Sequence, residues 1–80
     1  MEVEILAFGI TRDIVGGSTF KIFLEREATV SALKELLYQK YPKMKQLRSL
    51  MIAVDNEYVD EGLELKGQEE IALIPPVSGG

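Results

Sequence analysis

The sequence predicts an α+β domain: a mixed sheet with one main helix packed across one face. Three observations carry that expectation. Apolar and polar side chains alternate over residues 3–8 and 19–25, an apolar stripe at three-and-four spacing runs over residues 30–41, and short apolar runs return at 50–54 and 70–74. In the first run Val3, Ile5 and Ala7 share the face expected to meet the core, and Glu2, Glu4, Leu6 and Phe8 share the other. After Gly9 a connecting segment passes through Arg12, Asp13 and Ile14 and closes on Gly16-Gly17-Ser18, which predicts a hairpin connection. The second strand sets Phe20, Ile22 and Leu24 against Thr19, Lys21, Phe23 and Glu25.

Thr29 is the expected N-cap of the helix, whose stripe is Val30, Leu33, Leu36, Leu37 and Tyr41; Pro42 ends it. Ala32 stands where a capping box wants Glu or Gln. A short helical turn is expected around residues 45–47. Residues 50–54 form the next strand, Asp55-Asn56 the turn after it, and 57–59 a short return; Gly67 punctuates the chain before the last strand at 70–74.

Composition narrows the function. Eighty residues make one domain, because a second core could not be built from what remains after burying the first. A formal charge of −4 leaves no basic stripe for phosphate neutralisation, so a nucleic-acid partner is not expected. Apolar runs are only a handful of residues long and no signal-peptide pattern opens the chain, which predicts a cytoplasmic protein without a membrane partner. The chain holds no Cys and no His, which removes thiolate nucleophiles, imidazole bases and Cys/His zinc sites. The carboxylates are scattered among Lys and Arg, as solvated charges are, so no metal site is expected. Gly16-Gly17-Ser18 leads into a strand rather than a helix, so it reads as a turn and not as a phosphate loop.

The ending Pro75-Pro76-Val77-Ser78-Gly79-Gly80 has a different character, and the expected division is a domain at 1–74 and an extended tail at 75–80. Two prolines cannot donate ladder hydrogen bonds and favour an extended chain, so they end the strand and project the last residues away from the body. Two glycines make that probe thin enough for a narrow cleft and leave the last carbonyl carbon unhindered. At an average glycine usage of about 7%, two specified glycines arise by chance with a probability of about 0.005. A free carboxylate resists nucleophiles until it is activated. Ionised at neutral pH, it could attack the α-phosphate of ATP; the acyl-adenylate would then yield a thiocarboxylate to a sulfur nucleophile or an amide to an amine. Nothing in the sequence binds ATP, so no cofactor is expected on the chain, and ATP and a sulfur donor would be used through a separate activating enzyme. Without cysteine, carried sulfur has only Gly80 to sit on.

The whole chain resembles the small, sulfur-carrier subunit of molybdopterin synthase, a MoaD/ThiS-like member of the ubiquitin-like β-grasp proteins. The resemblance rests on Leu6-Ala7-Phe8-Gly9 followed by Arg12-Asp13, on the helix start Thr29-Val30 with Leu33, on Ala53-Val54-Asp55 before a turn, and above all on the ending from Ile71 to Gly80. Ser78 stands where Thr is common. The resemblance implies that Gly80 is adenylated by a ubiquitin-activating-type adenylyltransferase and converted to a thiocarboxylate. It further implies that the large synthase subunit uses that sulfur to make the dithiolene of molybdopterin from cyclic pyranopterin monophosphate. Strand parity places Leu6, Phe8, Phe23 and Ile74 opposite the helix-covered core; with Arg12 and Tyr58, Phe8 and Ile74 form the expected partner interface. A carrier for thiazole synthesis and a ubiquitin-like protein modifier would share the activation step, and a plain binding module would not need the tail.

Overall fold

The computed structural model describes residues 1–47 and 49–75. Strand β1 (Glu2–Ala7) is followed by helix α1 (Ile10–Val15), strand β2 (Thr19–Phe23), helix α2 (Val30–Lys40), a 3₁₀ turn (Pro42–Gln46), and strands β3 (Met51–Val54), β4 (Glu57–Tyr58) and β5 (Ile71–Ile74). The five strands form one sheet in the order β2-β1-β5-β3-β4. The central pair β1 and β5 is parallel, and every other pairing is antiparallel. This is the ubiquitin-like β-grasp arrangement.

One face of the sheet carries α2 and the core. Val3, Ile5, Ile22, Ile52, Val54, Ile71 and Leu73 project from the strands to meet Val30, Leu33 and Leu37 of the helix, with Met44, Leu50 and Leu65 closing the edges. The alternation in the sequence is thus the pleat itself: every second residue of β1 is buried. Thr29 caps α2 as its side chain predicts, accepting from the Ala32 N–H at 3.2 Å. The helix start is also tied to the long β4–β5 connection. Val30 N–H donates to the Leu63 carbonyl at 2.9 Å, Leu65 N–H to the Ala28 carbonyl at 2.8 Å, and Lys34 Nζ lies 2.8 Å from Glu61 Oε1. Asp55 and Asn56 turn β3 into β4 with positive φ values of 52° and 69°, which the tight two-residue hairpin demands and these short polar side chains tolerate.

The β1–β2 connection departs from the expected hairpin. The two strands do pair antiparallel, but the segment between them is helix α1. Three features close it. Ile14 and Val15 turn towards the core, and Gly16 takes a left-handed conformation at φ 85°. The N–H groups of Gly16 and Gly17 then both reach the Arg12 carbonyl, at 2.9 and 3.1 Å. Gly16 therefore ends a helix rather than shaping a hairpin tip.

Candidate functional site

Strand β5 lies between β1 and β3, so the chain leaves the sheet from its centre rather than from an edge. Pro75, half-buried, is the last residue described at this exit. Pro76, Val77, Ser78, Gly79 and Gly80 fall outside the described residues.

Register places the expected interface residues around the exit. Leu6 pairs with Ala72 and Ala7 with Leu73, so Phe8 lies next along β1, level with Ile74; Ile74 in turn pairs with Met51. Behind that row, Leu6, Ala72, Ala53 and Tyr58 run side by side across four strands. All of these point away from α2. Phe8 and Met51 are each 48% exposed and Tyr58 is 63% exposed, whereas Leu6 and Ile74 are half-covered. The result is an apolar half-face beside the tail exit. Arg12, exposed in the last turn of α1, stands at the rim of this corner with Gly9 and Gly17.

Phe23 shares the open face by parity but not by position. It pairs with Glu2, at the opposite end of β1 from Phe8, about 20 Å away at roughly 3.3 Å per residue. The sheet end near Phe23 is acidic. Glu2, Glu4, Glu69 and Glu70 gather there with Lys21, whose Nζ lies 3.9 Å from Glu2 Oε1, a surface pair worth little to stability. The open face is therefore divided lengthwise into an apolar end at the tail exit and an acidic end away from it.

Sequence reasoning missed Met51, Gly9 and Thr11. Met51 was detectable, because it alternates with the buried Ile52 and so belongs to the open face. Thr11 is fully buried, and its hydroxyl bridges one residue's backbone: it donates to the Phe8 carbonyl at 2.5 Å and accepts from the Phe8 N–H at 2.9 Å. Gly9 carries φ 56° and ψ −134°, and a Cβ built on it would stand 3.0 Å from Pro75 Cγ. No signal in the sequence ties Gly9 to a residue so far along the chain. Among the described residues, no helix is long and apolar enough to cross a membrane.

Comparison with known proteins defines the class. The ThiS family matches residues 5–80. The molybdopterin synthase sulfur carrier subunit of Caenorhabditis briggsae is 35% identical over 83 residues, spanning 100% of this chain and 99% of that protein. A putative molybdopterin converting factor subunit 1 from Pyrococcus furiosus superposes with a TM-score of 0.87 at 27% identity, covering 96% of this chain and 99% of that one. The complex of subunits 1 and 2 of molybdopterin-converting factor from Helicobacter pylori 26695 contains a chain that matches with a TM-score of 0.68 at 28% identity, covering 100% of both. Fold and sequence together define a ubiquitin-like sulfur carrier, which donates sulfur and is not a catalyst by itself. The chain belongs to the ThiS family and is homologous to the molybdopterin synthase sulfur carrier subunits.

Proposed function

We propose that this chain is the sulfur-carrying subunit of a cytoplasmic molybdopterin synthase and that the Gly80 carboxylate is where the sulfur rides. The observation that carries this reading is the full-length match to sulfur carrier subunits, joined to a Gly-Gly ending in a chain without cysteine. A ubiquitin-activating-type adenylyltransferase would bring ATP to the tail. The carboxylate oxygen attacks the α-phosphate and pyrophosphate leaves. A persulfide on the donor would then attack the acyl carbon and AMP leave; a thiol attacks the donor's sulfur in the resulting acyl disulfide, forming a disulfide with the donor and leaving Gly80 as a thiocarboxylate. The large synthase subunit would take the tail into its active site, where the sulfur passes to cyclic pyranopterin monophosphate and water restores the carboxylate.

Partnership with a large subunit is supported by the two-subunit Helicobacter pylori complex. On this reading the apolar half-face of Phe8, Met51, Ile74 and Tyr58, with Arg12 at its rim, docks that subunit. Gly79, Ser78, Val77, Pro76 and Pro75 lead Gly80 into the cleft. Intact-mass and peptide mass spectrometry after incubation with ATP, the activating enzyme and a sulfur donor tests the proposal. The expected product is heavier by the difference between one sulfur and one oxygen, on the C-terminal peptide, and stable to thiol reductants. Added mass elsewhere in the chain, or its loss on mild thiol treatment, rules the mechanism out. A lysine amide to Gly80 would assign the chain to protein modification instead.

A further inference from the structure

Gly9 answers two demands at once. Its backbone angles lie in a region that L side chains do not adopt without strain, and the space where a Cβ would stand is taken by Pro75, with Cγ 3.0 Å away. The first demand belongs to the corner between β1 and α1. The second comes from the far end of the chain.

Both partners in this contact are held rigidly. On one side, Thr11 locks Phe8 through its hydroxyl, the Thr11 N–H adds a 3.1 Å bond to the Phe8 carbonyl, and the Arg12 N–H reaches the Gly9 carbonyl at 3.1 Å. On the other side, Pro75 comes directly after a strand hydrogen-bonded by neighbours on both edges, and its ring fixes φ near −65°. Two hydrogen-bonded stretches of chain therefore meet at the root of the tail, and a Cβ between them would force Pro75 or the corner to give way by a few tenths of an ångström.

We propose that Gly9 is a positioning residue for sulfur loading: its bare backbone is the seat of Pro75 and sets the direction in which the chain leaves the sheet. The proposal rests on the carrier reading above. Each residue beyond the root adds up to about 3.3–3.6 Å of reach, so a small tilt at Pro75 becomes a large error where the carboxylate must meet ATP.

The test is a double-mutant cycle of Gly9→Ala and Pro75→Ala, the second of which removes Cγ and opens the seat. Adenylation kinetics with the activating enzyme are read beside thermal unfolding and the NMR contact between Gly9 Hα and Pro75 Hγ. Gly9→Ala is expected to lower kcat about tenfold with little change in KM, since a misdirected tail spoils the placement of the carboxylate rather than the encounter, and to cost under about twofold in the Pro75→Ala background. Equal losses in the two backgrounds would reduce Gly9 to a strained corner and overturn the proposal, as would a missing NMR contact. Should Gly9→Ala fail to fold, Pro75→Ala alone decides, by a reduced kcat at unchanged unfolding temperature or by no reduction. A wild-type chain that is not adenylated sinks the carrier reading; the seat is then judged by the NMR contact and by displaced Gly79 and Gly80 amide signals in Pro75→Ala.

Discussion

Glu69 gathers the backbone of the turn that delivers the chain into β5. Its carboxylate accepts the N–H groups of Lys66, Gly67 and Gln68 at 2.7, 2.8 and 3.2 Å. Burial opposes its ionisation, but these donors outweigh that and hold its pKa below the ordinary carboxylate value. A depressed folded-state pKa contributes stability that is present above the unfolded value and lost as pH falls through the folded one. Glu69→Gln keeps an acceptor but loses the charge, so it should lower Tm at ~pH 7, and the gap between the two proteins should close as pH falls through the folded-state pKa of the wild-type carboxyl. Thermal unfolding of both proteins across that range checks the sign. At this scale the sequence reveals little. Gly67 reads as a turn from composition, yet nothing in Lys66-Gly67-Gln68-Glu69 announces that the carboxylate folds back on its own loop, because the bond depends on turn geometry and not on spacing.

Helix α2 shows what a sequence states openly. Its cap, apolar stripe and proline stop are local features repeated over several turns, and each appears where the spacing puts it, with Leu33 and Leu37 fully buried. Leu37→Ala should cost about 3 kcal/mol, within the range for a buried leucine whose cavity cannot collapse, and a denaturant titration should show the midpoint falling with m unchanged. Helix α1 is the opposite case. Six residues are too few to display a period and too few to hold a helix on their own; its stability comes from Thr11, Gly16 and the core contacts of Ile14 and Val15, all of which are tertiary facts. The same glycines that suggested a hairpin in fact cap the helix. Strand pairing was legible because alternation marks both strands, while the shape of their connection was not.

At the scale of the whole molecule, parity and register supply different information. Parity, which the sequence contains, puts Leu6, Phe8, Phe23 and Ile74 on one face. Register, which only the assembled sheet fixes, moves Phe23 to the acidic end beside Glu2 and brings Phe8, Ile74 and the unforeseen Met51 to the tail exit. A partner that takes in the tail must cover the second group and need not reach the first. Phe8→Asp and Phe23→Asp therefore form a matched pair: both residues are exposed, at 48% and 73%, so neither change should abolish folding. Phe8→Asp should weaken binding of the large synthase subunit about thirtyfold, the loss of roughly 2 kcal/mol expected of a central aromatic anchor. Phe23→Asp, placing one more carboxylate at an end that is already acidic, should change Kd by less than about threefold, as rim positions do. Titration calorimetry with the large subunit, with unfolding measured in parallel, separates the two. Equal losses for both variants would mean that the partner grips the full length of the open face, and a loss confined to Phe23→Asp would place docking at the acidic end and break the link between interface and tail.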